Sequence, residues 1–135
     1  MSLSAGNLTR LPAPQEEFAS AAEQVLGRGY ELSLVFVGNE RMRTLNRRYR
    51  GKNTTTNVLS FPLSKTSGEI FINLRGLEGY LVLRLFIHAL LHLKGYAHGS
   101  RMERIETKLC KTFSHDSQYR DGDRRGDAHG AGSCW

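Results

Sequence analysis

The sequence predicts an α/β (α+β) fold: a single compact domain with a small mixed sheet and helices packed on it. Three observations predict it. YELSLVFV at 30–37 and GEIFIN at 68–73 are short, apolar and β-branched, as buried strands are. Segments with apolar residues at helical spacing alternate with them, which is the α/β pattern. The 135 residues can form one domain with a real core but not two.

The elements follow in order. Gly6–Arg10 reads as a short edge strand, and Pro12 and Pro14 break the chain after it. Gln15–Leu26 places Phe18, Ala21, Ala22, Val25 and Leu26 on one helical face, and Gly27 and Gly29 stop it. Tyr30–Val37 is a buried strand. Asn39 can cap a helix over Glu40–Arg48, with Met42, Leu45 and Tyr49 directed inward and arginines outward. Gly51–Thr55 is a polar loop, and Thr56–Phe61 is a strand ended by Pro62. After a turn at Ser64–Ser67, Gly68–Asn73 is its hairpin partner. The long helix Gly79–Leu93 is central and is stopped by Gly95. A last helix over Ser100–Thr112 has Ser100 and Glu103 at capping-box spacing. The expected core comprises Leu34, Phe36, Val58, Leu59, Phe61, Ile70, Ile72, Leu83, Phe86, Ile87, Leu90 and Leu91. After Phe113, SHDSQYRDGDRRGDAHGAGSCW has almost no aliphatic residues, so residues 1–113 form the domain and 114–135 a disordered tail. His115 and His129 are then solvated, and Trp135 exposed.

Composition narrows the classes. No apolar run is long enough to span a bilayer, which takes about 20 residues. The N-terminal segment lacks the charged-then-apolar pattern of a secretory signal. Cys110 and Cys134 make no disulfide framework, so a cytoplasmic protein without a membrane partner is expected. The net charge is +6, and much of the excess lies in Arg41, Arg43, Arg47, Arg48, Arg50 and Lys52. Cations at this density favour a polyanion, most simply nucleic acid; the alternative is a solvated helix face.

The chain has five histidines, and FIHALLHLKGYAHG places three of them at His88, His92 and His98. Residues four apart share a helix face, so His88 and His92 can converge. Gly95 ends the helix, and the reversed chain can bring His98 to the same point. Three imidazoles suit a borderline-soft divalent cation, above all zinc, one per chain. A fourth position stays open to water, as in catalytic zinc sites. The spacing is that of HExxHxxGxxH peptidases, but Ala89 stands where those enzymes need their glutamate base, which argues against a peptidase.

HALLHLKGYAH resembles the signature of the YbeY endoribonucleases, which is close to HGxLHLxGYDH. LNRRYRGKNTTTNVLSFP, Leu45 to Pro62, resembles that family's arginine followed by T(D/N)VLSFP, and GEIFIN resembles its glycine-acid strand. The resemblance covers about Asn7 to Phe113. It implies an α/β layered fold, metal ligands at His88, His92 and His98, and a catalytic role for Arg50. It further implies a metal-dependent hydrolase that cuts single-stranded RNA, near the 3′ end of the small-subunit rRNA, in ribosome maturation and quality control. RNA and small-subunit ribosomal proteins are the implied partners. Two positions depart from the pattern: Ala89 replaces glycine, and Ala97 replaces the aspartate before the third histidine.

On this reading Arg50 binds the scissile phosphate, and Arg43, Arg47, Arg48, Lys52 and Asn57 guide the RNA backbone. The alternative for Arg50 is a structural clamp. No carboxylate adjoins the histidines in sequence, so the nucleophile is expected to be a metal-activated water or the RNA's 2′-hydroxyl. The competing function is a non-catalytic, zinc-stabilised assembly factor that binds rRNA.

Overall fold

The computed structural model describes residues 2–14, 16–75, 77 and 79–113. The expected tail, with His115, His129, Cys134 and Trp135, lies outside the described residues. The chain runs β1 (Ser2–Asn7), α1 (Phe18–Leu26), β2 (Glu31–Val37), α2 (Asn39–Arg50), β3 (Val58–Ser64), β4 (Ser67–Asn73), α3 (Gly79–Lys94) and α4 (Ser100–Phe113). The sheet order is β1-β2-β4-β3. β2 is parallel to both β1 and β4, and β3 closes a hairpin with β4 at the edge, so the sheet is mixed.

Strand alternation divides the apolar side chains between two faces. Leu32, Leu34, Phe36, Ile70 and Ile72 meet α1, α3 and α4 through Phe18, Ala21, Leu83, Phe86, Leu90, Met102 and Leu109. Val37 and Leu59, with Val35 and Phe71, meet Met42 and Leu45 of α2 on the other side. The layers are therefore three helices, the sheet, and α2. A strand covered on both faces cannot alternate with polar residues, which is why β2 reads as a nearly continuous apolar run. Of the twelve expected core residues all are buried except Phe61, which is partly buried. Val82, Leu83, Phe86, Ile87, Ala89, Leu90 and Leu91 are all buried, so α3 is the central helix, covered on most sides.

Several boundaries differ from the expectation, each for a local reason. β1, Ser2–Asn7, starts and ends earlier than the expected Gly6–Arg10. Asn7 ends it: its Oδ1 accepts from the Thr9 N–H (2.9 Å) and hydroxyl (2.7 Å), and its Nδ2 donates to the Leu11 carbonyl. α1 begins at Phe18, not Gln15. α2 continues two residues past Arg48. Gly51, at φ 71°, closes it by donating to the Arg47 carbonyl, which makes Arg50 its last residue. Tyr49 is not directed inward; it is 59% exposed. The buried polar residue of α2 is Asn46, whose Nδ2 donates to the Thr54 carbonyl (2.9 Å) and ties down the following loop.

β3 starts at Val58 rather than Thr56 and does not end at Pro62; it runs through it. A proline costs little on an edge strand, where an outward N–H needs no partner, and the register is irregular just beyond it. Gly95 (φ 112°) stops α3 as expected. The cap position of α4 falls on Gly99, whose carbonyl accepts from the Glu103 N–H, so Ser100 is already helical and does not act as the cap. Gly68 opens GEIFIN where space is tight: a Cβ there would lie 2.5 Å from the Tyr30 hydroxyl oxygen and 3.2 Å from the Phe61 carbonyl, so a larger residue would force a neighbour to move. No helix among the described residues is long and apolar enough to cross a membrane.

Candidate metal centre

The site is built at the C-terminal end of α3. Four-residue spacing stacks His88 and His92, with ring centroids 4.7 Å apart and Nε2 atoms 3.1 Å apart. The reversal at Gly95 brings His98 back, its ring 5.3 Å from His88 and 4.5 Å from His92. One nitrogen of each of the three lies within 4.8 Å of the others. His88 is buried, His92 half-buried and His98 exposed, so the cluster opens to solvent on one side.

The hydrogen bonds set how the rings are turned. His88 Nδ1 lies 2.6 Å from Glu106 Oε1, and Arg84 Nε lies 2.9 Å from Glu106 Oε2. The Glu106 carboxylate thus holds His88 by Nδ1, and the opposite ring nitrogen, Nε2, faces His92. His92 Nδ1 donates to the Tyr96 carbonyl (3.2 Å), which turns its Nε2 towards His88. The two Nε2 atoms face each other at 3.1 Å, close enough for one cation to be held by both. Burial, aided by the neighbouring charges of His88 and His98, pushes the His92 pKa below its usual value. His92 is therefore neutral near neutral pH, as a ligand must be. This donor set fits a divalent metal.

Glu106 and Arg84 were not expected at the site. Their signal is present in the sequence. Glu106 shares the buried stripe of α4 with Met102, Leu109 and Phe113, where an acid needs a partner. Arg84 precedes His88 by one helical turn. Replacing Glu106 with glutamine is expected to weaken metal binding about 10- to 100-fold, measured by competition with a chromogenic chelator. Unchanged affinity would mean that packing alone orients His88.

Beside the histidines is a cleft of about 320 Å³ lined by Arg50, Val58, Leu59, Ser60, Pro62, His88, Ala89 and His92. The end of α2, the edge strand and α3 form its walls. The structure thus brings Arg50 to the same cleft as two of the histidines. Among the described residues no carboxylate pairs with Arg50. Arg43, Arg47 and Arg48 are exposed on α2, and Lys52 and Asn57 are exposed in the loop after it; none of the five lines the cleft.

Residues 9–114 match the family model described as Endoribonuclease YbeY. The chain belongs to the YbeY family. Similar proteins carrying the name Endoribonuclease YbeY occur in Anaeromyxobacter sp. strain Fw109-5 (38% identical, covering 69% of this chain and 60% of that protein) and Neorickettsia sennetsu (36%; 65% and 76%). Another, in Campylobacter fetus, is 44% identical over 63% of this chain and 74% of its own length. The chain therefore spans between three fifths and about three quarters of these relatives. The solution structure of TM1509 from Thermotoga maritima has the same fold, with a TM-score of 0.58 at 21% identity over 81% of this chain and 87% of that one. Of the two departures from the YbeY signature, Ala89 is buried in the cleft wall and Ala97 is exposed.

Proposed function

We propose that this chain is a metal-dependent endoribonuclease that cuts single-stranded RNA. It acts in the cytoplasm on the 3′ end of small-subunit rRNA and in ribosome quality control, alongside small-subunit proteins. The observation that carries this reading is that Arg50 lines the same cleft as His88 and His92 of the histidine cluster. The ligands are His88, His92 and His98, and three imidazoles favour zinc, one ion per chain. Zinc held there supplies a Lewis acid and lowers the pKa of a bound water.

The remaining work falls to the chain itself. Arg50 can hold two phosphate oxygens in parallel and offset the negative charge that grows during displacement. Arg43, Arg47, Arg48 and Lys52 track the backbone along α2 and its loop, with Asn57 at the end of that path. Glu106 is no proton acceptor for the substrate, because His88 and Arg84 occupy its two oxygens. Its part is to hold His88.

The test is single-turnover cleavage of matched RNA and DNA strands, with and without a chelator. RNA cleavage that chelation stops and zinc restores supports the reading. Equal cleavage of DNA rules out attack by the 2′-hydroxyl. A zinc-loaded chain that binds RNA without cutting it overturns the nuclease in favour of an assembly factor.

A further inference from the structure

Tyr49 is a large aromatic residue left 59% exposed on a surface of arginines. The core does not need it, since Met42 and Leu45 supply the apolar contacts of α2. Yet its ring is not loose. It packs on Phe61 at 5.2 Å, and Phe61 packs edge-on against Phe71 of the sheet at 5.9 Å. The Arg48 guanidinium lies 5.9 Å from the Tyr49 ring centre. The next residue in the chain, Arg50, lines the cleft, as do Ser60 and Pro62 on either side of Phe61. A supported aromatic ring thus stands on the α2 side of the edge strand, between two arginines in the chain, the second of which lines the cleft.

We propose that Tyr49 is a stacking platform for an unpaired base of the RNA strand. The proposal rests on the RNA-cleaving reading above and adds a specificity-determining residue to it. A strand whose phosphates lie on Arg48 and Arg50 projects its bases beside that backbone, within reach of an aromatic ring flanked by the same arginines. Every base has a π-face, so stacking tolerates any sequence. A base in a duplex is already stacked on its neighbours and cannot be taken up. Tyr49 therefore favours single strands, and its hydroxyl is not required.

The experiment uses the full zinc-loaded chain and short RNAs carrying the fluorescent base 2-aminopurine at successive positions. Wild type and Tyr49→Phe should quench one position strongly. Tyr49→Leu should lose that quenching and bind single strands about tenfold more weakly, while its affinity for blunt duplex RNA stays at the wild-type level. Wild-type quenching and affinity in Tyr49→Leu would overturn the proposal. So would an equal loss on single and double strands, which would signal damage to the cationic surface or the fold. If the wild type binds no RNA at all, the functional reading fails and this proposal with it. If the wild type binds and cuts RNA but Tyr49→Leu is unchanged, only the stacking role fails.

Discussion

His92→Ala is expected to take the purified protein from about one zinc per chain to none and to abolish RNA cleavage. His92 is the middle ligand: its Nε2 faces His88 and its ring is the nearest to His98. Two of the three approaches are lost with it, and the two ligands that remain, His88 and the exposed His98, are the pair with the most widely separated rings. The loss should also show in stability. A metal at a thousand times its Kd stabilises the folded chain by about 4 kcal/mol. For a domain of this size that is a shift in Tm on the order of 15 °C. Elemental analysis and thermal melting, each with and without added zinc, measure both effects. A variant that keeps its zinc, or a wild type that holds none after reloading, would refute the three-histidine site.

Arg50→Ala is expected to lower single-turnover RNA cleavage by about 10²- to 10³-fold, the usual cost of removing one donor to developing charge. Zinc content should stay at the wild-type level. The side chain is half-buried and has no carboxylate partner among the described residues, so little structure depends on it. Its one general contribution is a positive charge at the C-terminal end of α2, worth about 0.3–1 kcal/mol. Melting should therefore move by only a few degrees. Arg50→Lys separates charge from geometry: it keeps the cation but not the fork that grips two oxygens, so binding should recover further than rate. If Arg50→Ala unfolds the protein or sheds its metal, the residue is a structural clamp instead.

The sequence carried the fold wherever burial imposed a period. β2 and β4 are covered on both faces, so their apolar runs announced them. The histidine helix was legible because four-residue spacing and a glycine stop follow directly from helix geometry. What escaped was set by contacts far apart in sequence. Glu106 lies 18 residues from His88 and reaches it only because α4 folds back on α3. The inward position of Asn46 depends on the Thr54 carbonyl, which no periodicity reveals. Tyr49 looks like a core residue by spacing, but in the last turn of α2 its ring reaches the edge strand and solvent. Pro62 looks like a terminator, and it fails to terminate because β3 has a neighbour on one side only.

That last position has a consequence for how the protein avoids its own kind. Among the described residues nothing pairs with the outer side of β3, so the sheet ends in the open beside the cleft. An unpaired strand edge is ordinarily a template on which another chain can add a strand and begin to aggregate. Covering it would shut the cleft. Pro62, and the irregular register next to it, make this edge a poor template while leaving the cleft accessible. The residue that interrupts the strand pattern thus keeps the cleft beside the sheet edge reachable without opening that edge to polymerisation.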